Sequence, residues 1–102
     1  MPSTLNLKKL RPLKFEWDKG NKEKNWLRHK VKFSEAEEIF FNRPLKTFYD
    51  IKHSQKEDRF AALGVTNKGR KLTIIFTIRN KKIRVISARD QSKEERRLYE
   101  KK

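Results

Sequence analysis

Basic side chains suited to phosphate chemistry recur through the second half of this sequence, together with a glutamate and a histidine. They are His53, Glu57, Arg59, Arg79, Lys82, Arg84 and Arg89. Arginine stays cationic and donates paired hydrogen bonds to phosphate, so arginines brought together stabilise negative charge on phosphate oxygens. Glu57 or His53 beside them would act as base or acid. These residue types suffice for RNA cleavage without a metal, in which the substrate's own 2′-hydroxyl attacks the adjacent phosphorus.

The same residues also fit binding without catalysis. Clustered arginine and lysine on a sheet are typical of nucleic-acid contacts, and contacts to phosphate carry little sequence information. The sequence contains no GxGxxG motif, no P-loop and no aromatic pair of the RNP type. Close arginines would also lower the pKa of a neighbouring carboxylate or hold Tyr99 partly ionised. A ribonuclease site and a non-catalytic binding surface therefore remain as alternatives.

A predicted β-hairpin over residues 71–89 positions most of these cations. Apolar and polar residues alternate along it, as in strands with one buried face. A two-residue turn at Asn80-Lys81 predicts the pairing of the two strands, whereas a loop longer by one residue would mix the two faces. The predicted pairs are Arg79–Lys82, Ile78–Ile83, Thr77–Arg84 and Phe76–Val85. Because side chains alternate along a strand, this pairing puts Thr77, Arg79, Lys82 and Arg84 on one face and the apolar residues on the other.

Three helices and two further strands complete the predicted fold. The spans are 18–29 and 34–41 for the first two helices, 45–51 and 59–65 for the strands, and 93–99 for the last helix. Asp18 is the predicted N-cap of the first helix, and Ser34 forms a capping box with Glu37 in the second. Asp90 or Ser92 caps the last helix. This order predicts an α+β fold, with N-terminal helices on an antiparallel sheet and a C-terminal helix.

Composition limits the classes of function. The chain has 28 basic and 13 acidic residues and a formal net charge of +15, which favours nucleic acid, an acidic protein or an anionic membrane as partner. It contains no cysteine and only two histidines, so disulfides and Cys-based metal sites are excluded and no metal or cofactor is expected. The apolar run LTIIFTI is too short to span a bilayer, and no secretory signal is recognisable, so we expect a cytoplasmic protein without membrane contact.

Residues 1–14 are predicted to form a flexible basic leader before a single domain over 15–102. The cations of the leader are Lys8, Lys9, Arg11 and Lys14. It contains no acid, and Pro2 and Pro12 interrupt regular structure. We expect the leader to be a solvated tail, with a dedicated binding arm as the alternative.

From residue 15 to residue 100 the chain resembles the BrnT family of type II toxin–antitoxin toxins. The matching segments are FEWD, Lys24-Asn25 with Arg28-His29, VKFSEAEEIF, DIKHSQKEDRFAALG and IRNKKIRVISARDQSKEERRLYE. The departures are Lys30 in place of the usual glycine, Asp58-Arg59 in place of a Glu-Arg pair, and the additional leader. Lys30 must therefore adopt the helix-ending turn conformation that glycine usually adopts.

This resemblance implies a RelE-like α+β toxin that cleaves RNA and stops translation. It also implies a cognate antitoxin, usually a small ribbon-helix-helix protein, whose complex with the toxin represses its own operon. Operator DNA would then be bound only through the antitoxin complex. The motif positions that carry over are His53, Glu57, Arg59, Arg79, Arg84, Ser87, Arg89, Glu95, Arg96 and Tyr99.

The resemblance does not assign individual roles to these residues. We expect Arg79 and Arg89 to bind the scissile phosphate, with Arg59 as a second cation. Glu57 is expected to be the base. The expected RNA contacts are His53, Lys82, Arg84, Arg96 and Tyr99, while Ser87 is expected to be structural and Glu95 with Arg96 to brace the last helix against the sheet. The alternative function is a non-catalytic basic module that binds nucleic acid or an antitoxin; an independent DNA-binding repressor would need a reading helix that is not recognisable.

Overall fold

A five-stranded sheet forms the centre of the structure, a computed structural model that describes residues 5–101. Its strands are β1 Phe15–Glu16, β2 Lys46–Tyr49, β3 Arg59–Val65, β4 Lys71–Arg79 and β5 Lys82–Asp90. Their order across the sheet is β1-β5-β4-β3-β2, with β1 parallel to β5 and the other neighbours antiparallel. The helices are α1 Lys19–His29, α2 Phe33–Glu38 and α3 Lys93–Glu100, and 3-10 turns cover Leu7–Leu10 and Ile51–His53. The predicted α+β fold is confirmed.

The central hairpin of β4 and β5 has the register that the sequence predicts. Asn80 and Lys81 form the two-residue turn with φ angles of 51° and 61°, the left-handed geometry that matches the twist of the strands. The observed pairs are Arg79–Lys82, Ile78–Ile83, Thr77–Arg84 and Phe76–Val85. The basic residues therefore lie on the face of the sheet opposite the core, which we call the outer face.

A β-bulge in β5 changes which residues reach the outer face. Phe76 pairs with Val85, but the preceding residue, Ile75, pairs with Ser87, so Ile86 is left over. The extra residue reverses the alternation, because side chains otherwise alternate strictly along a strand. Arg89, which unbroken alternation from Arg84 would turn toward the core, is placed on the outer face instead.

Two buried asparagines of α1 hold the backbone on both sides of this bulge. Asn21 Nδ2 donates to the Val85 carbonyl at 3.1 Å, and Asn25 Oδ1 accepts from the Ala88 amide at 2.9 Å. β1 ends at Glu16, so these side chains continue the hydrogen bonding of β5 where its neighbouring strand stops. Both amides are nearly inaccessible to solvent, and a buried polar group of this kind requires its partners.

The inner face of the sheet packs against α1, α2 and the segment between them. Phe40 follows α2 and meets Phe76 of β4 edge to face, with ring centroids 5.2 Å apart. Ala36 and Ile39 are fully buried beside it. Gly64 of β3 lies so close to Ile39 that a Cβ at residue 64 would be 2.8 Å from the Ile39 Cβ. This close contact leaves room for no side chain at position 64.

The start of α2 differs from the prediction. The sequence predicts that Ser34 caps the helix in a box with Glu37, but α2 begins at Phe33, and the Lys32 amide donates to Glu35 Oε1 at 3.0 Å. Glu37 instead accepts from Trp17 Nε1 at 2.7 Å. The predicted capping box is wrong by two residues, and Glu37 is used by the indole instead, a contact between distant parts of the chain. The first predicted strand, 45–51, is also shorter as β2.

The end of α1 has the turn expected from Lys30. Its φ is 55°, in the left-handed region, although lysine carries a Cβ. Arg70 stabilises this turn, since its guanidinium donates to the carbonyls of His29 and Lys30 at 3.1 and 2.8 Å. Arg70 also binds Asp90 at 2.7 Å and thereby ties the helix end to β5.

Part of the predicted leader lies within the described residues. Residues 1–4 lie outside them, whereas Leu5, Leu7 and Leu13 pack against the core. The Lys14 carbonyl accepts from the Ile83 amide at 2.8 Å, just before β1 pairs with β5. Whether 1–14 is a separate flexible unit stays a prediction; residues 5–14 lie against the domain.

Candidate active site

Two clefts open on the outer face of the sheet and share two of the predicted site residues. The first, the outer cleft, has a volume of about 520 Å³ and is lined by residues that include Tyr49, His53, Arg59, Ser87, Arg89 and Glu95. The second, the loop cleft, has a volume of about 270 Å³ and is lined by Lys52, His53, Gln55, Lys56, Glu57 and Arg59. Because His53 and Arg59 line both, the clefts adjoin. The loop between β2 and β3 forms their common wall.

Glu57 and Arg79 form a bidentate ion pair at the edge of the loop cleft. Arg79 Nε donates to Glu57 Oε2 at 3.1 Å, and Arg79 Nη2 donates to Oε1 at 2.9 Å. This paired hydrogen bond lowers the pKa of Glu57 below 4.5, with the charge of Arg59 as a smaller contribution. The carboxylate is therefore ionised at neutral pH, and the arginine fork presented to it is the geometry that also binds phosphate.

Arg59, the first residue of β3, has an unused hydrogen-bond donor. Its Nη2 lies 3.9 Å from Glu57 Oε1, an ionic contact too long for a hydrogen bond. Its Nε is buried and has no acceptor within residues 5–101. Buried donors without partners are rare in folded proteins. This nitrogen is closed to solvent, so a phosphate in the cleft would meet the outer end of the guanidinium, where Nη2 has only the long contact to Glu57 among the described residues.

Arg89 and Glu95 form a second bidentate pair in the outer cleft. Arg89 Nη1 and Nη2 donate to the two carboxylate oxygens at 2.7 and 2.9 Å. The Thr73 hydroxyl donates to the same carboxylate at 3.0 Å, so Glu95 braces α3 against the sheet as expected. Arg96 takes no part in this brace. The Arg89 pair, followed by the Ser92 amide, lowers the pKa of Glu95 from 4.5 to about 2.

This shifted pKa predicts a loss of stability at acid pH. A carboxyl whose folded pKa lies below its unfolded value stabilises the fold above pH 4.5, and the contribution disappears as the pH falls toward 2. Since the Glu95 side chain is 26% exposed, solvent screening reduces the contribution to about 1–2 kcal/mol at neutral pH. Urea unfolding of wild type and Glu95→Gln should therefore differ by this amount at pH 7 and by less than half of it at pH 3.

The matched control for this measurement is Glu94→Gln. Glu94 lies in the same helical turn but is exposed and forms no ion pair with any described residue. Its variant should stay within about 0.5 kcal/mol of wild type at both pH values. If wild type and Glu95→Gln differ in free energy of unfolding by the same amount at pH 7 and at pH 3, the lowered pKa does not belong to Glu95.

Arg84 is already neutralised by two acids from the start of the domain. It donates to Glu16 Oε1 at 3.2 Å and to Asp18 Oδ2 at 2.7 Å. Glu16 is its direct neighbour on β1, and Asp18 is the N-cap of α1. Arg84 thus ties α1 and β1 to the outer face near Arg79, and its predicted RNA contact would compete with these two carboxylates.

The remaining predicted RNA contacts divide into two groups. His53 is exposed beside Arg59, with Nδ1 2.9 Å from Asp50 Oδ2, and Lys82 is exposed opposite Arg79. Arg96 is exposed on α3 and lines neither cleft. Tyr99 is 5% exposed and donates its hydroxyl to the Pro44 carbonyl at 2.6 Å.

Partial ionisation of Tyr99 is the one electrostatic expectation that the structure corrects. Burial raises the pKa of the Tyr99 hydroxyl, which therefore stays protonated at neutral pH. No arginine hydrogen-bonds to it among the described residues, and its hydroxyl has a backbone partner. Tyr99 packs α3 against the segment before β2, away from Glu57 and Arg79.

Several residues around the clefts were not among the predicted site residues. Tyr49 lines the outer cleft and donates to Asp58 at 3.0 Å, and Asp50 binds the His53 ring. The Asp50–His53 spacing is a local signal for this contact, because Asp50 also caps the turn that carries His53. The two acids on Arg84 had no such signal, since they lie 66 and 68 residues away.

Residues 5–101 contain neither a metal-binding cluster nor a membrane-spanning helix. No three His, Asp or Glu side chains there are grouped closely enough to hold a metal ion. None of the helices in this part of the chain combines the length and apolar character needed to cross a bilayer.

Comparisons with known proteins identify the family of the sequence. A sequence model of the family described as "Ribonuclease toxin, BrnT, of type II toxin-antitoxin system" matches residues 17–95. The 1.1 Å crystal structure of the Brucella abortus ribonuclease toxin BrnT is similar, with a TM-score of 0.60 and 25% identity over 79% of this chain and 99% of that chain. A search of curated protein sequences finds no match. The family match includes Glu57, Arg59, Arg79 and Arg89, whereas residues 5–16 precede it.

Proposed function

This chain belongs to the BrnT family of ribonuclease toxins of type II toxin–antitoxin systems, and from this premise we propose that it cleaves RNA at Glu57, Arg59 and Arg79 without a metal ion. The observation that supports this site is the Glu57–Arg79 pair beside the unused donor of Arg59. A base and two phosphate-binding groups are then at one edge of one cleft. Cleavage of messenger RNA at this site would stop translation.

The first step of the proposed mechanism is an exchange of ion pairs. The scissile phosphate takes the guanidinium of Arg79 from Glu57, because both anions fit the same fork of donors. Arg59 supplies a further hydrogen bond to a phosphate oxygen through the outer end of its guanidinium. Freed from Arg79, Glu57 regains a higher pKa and becomes a stronger base at the moment when the substrate is in place.

The chemical step then uses the 2′-hydroxyl of the substrate. Glu57 accepts the proton of that hydroxyl. The 2′-oxygen then bonds to phosphorus, and the bond from phosphorus to the 5′-oxygen of the next nucleotide breaks. His53 donates the proton that the leaving oxygen requires, with Asp50 orienting its ring through Nδ1. Arg79 and Arg59 stabilise the additional charge on phosphorus oxygens. The products are a 2′,3′-cyclic phosphate and a 5′-hydroxyl.

We also propose a cognate antitoxin as protein partner, a small ribbon-helix-helix protein with an acidic docking surface. The net charge of +15 would attract such a surface, and its carboxylates would occlude the basic outer face from RNA. Operator DNA would be bound only through this complex, in the cytoplasm.

The test is incubation of the purified protein with end-labelled RNA in excess EDTA. We expect cleavage, a cyclic phosphate on the new 3′ end, and no cleavage where a deoxynucleotide removes the attacking 2′-hydroxyl. Cleavage that requires added Mg²⁺, or that continues at the deoxynucleotide, would contradict the mechanism. Binding of the RNA without cleavage, on naked RNA and on translating ribosomes alike, would favour the non-catalytic module.

A further inference from the structure

The segment before the family match lies beside the candidate active site. Leu5, Leu7 and Leu13 hold residues 5–14 against the core, and the Lys14 carbonyl is bound to the Ile83 amide. The 3-10 turn Leu7–Leu10 is thereby fixed on the domain surface. These residues precede residue 17, where the match to the family begins.

The cations of this segment differ from the arginines of the clefts in their availability. Lys8, Lys9, Arg11 and Lys14 are exposed, and their side chains form no ion pair with any described residue. The site arginines are each in contact with at least one carboxylate. Residues 5–14 contain no acid at all. Their positive charge is therefore free for a polyanion.

A groove connects this segment to the base of the proposed reaction. It has a volume of about 410 Å³, and Asn6, Lys9 and Leu10 form one wall. The opposite wall includes Glu57 and Thr77. Glu57 also lines the loop cleft, so the groove continues from the cleft toward the leader. We call this the leader groove.

We propose that residues 5–14 extend the substrate-binding surface, with the RNA strand running from the loop cleft along the leader groove to Lys8, Lys9 and Arg11. The proposal rests on the proposed function, because it describes the path that the RNA strand takes beyond the scissile phosphate. Phosphates contact the three cations, while the apolar floor of the groove contacts one base. Single strands are bound in this way by basic grooves that also offer a surface to the base.

RNA fits this surface better than an acidic protein does. The groove is continuous with the cleft in which the phosphate chemistry is proposed, and a strand cleaved there must leave it in some direction. Ile78 and Leu10 supply apolar contacts of the size of a base rather than a flat docking face. The two carboxylates that line the groove, Glu57 and Asp58, lie opposite Lys9, so the phosphates of the strand are expected on the side of the leader cations.

The test compares two variants with equal loss of charge. The leader variant carries Lys8→Gln, Lys9→Gln and Arg11→Gln. The control variant carries Lys32→Gln, Lys68→Gln and Lys93→Gln, three exposed lysines at the end of the sheet remote from the Arg79–Lys82 turn. The probe is a fluorescent single-stranded RNA with every 2′-hydroxyl methylated, which binds but cannot be cleaved. Anisotropy titrations at several salt concentrations give the Kd and its salt dependence.

We expect the leader variant to bind this RNA about tenfold more weakly than wild type at about 100 mM salt, and the control variant to change less than threefold. Loss of three phosphate contacts should also flatten the slope of log K against log salt by about 2. Equal weakening in both variants would overturn the proposal, since only net charge would then matter. So would unchanged RNA binding by a leader variant that has lost binding to polyglutamate, which would assign the segment to an acidic protein.

These titrations are independent of catalysis. Failure of cleavage in EDTA would refute the proposed function, while the binding of the methylated RNA still decides the role of the leader. Circular dichroism of both variants checks that the fold is retained. Because neither triple substitution replaces a buried side chain, both proteins are expected to fold.

Discussion

Arg79→Ala is expected to lower kcat/KM for RNA cleavage about a thousandfold without unfolding the protein. The estimate follows from the loss of one preorganised charged donor to phosphorus oxygens, which costs about 10²–10³, with a further loss because Glu57 no longer faces a cation. Arg79 is 47% exposed in its side chain, so its truncation creates no cavity. Thermal unfolding should therefore shift by only a few degrees.

Two further variants separate geometry from charge in this experiment. Arg79→Lys keeps the positive charge but loses the fork of donors, so we expect activity between wild type and Arg79→Ala, about 10- to 100-fold below wild type. Arg97→Ala removes the same charge from an exposed position on α3 and should cleave like wild type. Equal activity of wild type and Arg79→Ala would move the site elsewhere or reveal a contaminating nuclease.

The basic face could be predicted because its determinants are local. The Asn80-Lys81 turn sets the register of the hairpin, and the alternation of residue types then assigns the faces. The order of residues in the hairpin is therefore enough to place Arg79, Lys82 and Arg84 together. The sequence also predicts the strand 59–65 that begins at Arg59, whereas its pairing with Thr77 of β4 is known only from the structure.

The bulge at Ile86 illustrates what local patterns miss. Arg84 and Arg89 lie five positions apart in the sequence, so strict alternation puts them on opposite faces. Their common face depends on Asn21 and Asn25, which bind the backbone of β5 from a helix more than 60 residues earlier. Two arginines that are needed on the same face but lie an odd number of positions apart indicate a bulge between them. The residues that hold the bulge leave no such local signal.

The ion pairs also lie beyond local reasoning. A sequence shows that arginines and acids are present, but the match of Glu57 to Arg79 and of Glu95 to Arg89 depends on how the loop and α3 lie over the sheet. These matches change the interpretation of the site, because in the proposed mechanism the phosphate displaces a carboxylate from its arginine. The expected partial ionisation of Tyr99 is wrong for a related reason, since burial against the segment before β2 raises the pKa of its hydroxyl.

This displacement leads to an unusual signature for Glu57→Gln. The substitution removes the proposed base, so we expect kcat to fall about 10²- to 10³-fold. It also removes the carboxylate that competes with phosphate for Arg79, so the methylated RNA should bind about two- to fivefold more tightly than to wild type. A residue with a purely structural role would weaken binding and catalysis together. Glu100→Gln, which breaks the Lys71–Glu100 pair away from the clefts, should leave both unchanged.

The pH dependence of kcat/KM distinguishes Glu57 from His53 as the base. Arg79 lowers the pKa of Glu57 in the free protein, so a Glu57 base stays ionised down to pH values below 4.5, and kcat/KM has no acid limb between pH 5 and 7. With His53 as the acid, His53→Gln lowers kcat/KM because the leaving oxygen then lacks its proton donor. An acid limb between pH 5 and 7 that is present in wild type and disappears in His53→Gln would exchange the two roles, placing the proton acceptor on the histidine and leaving Glu57 to position Arg79.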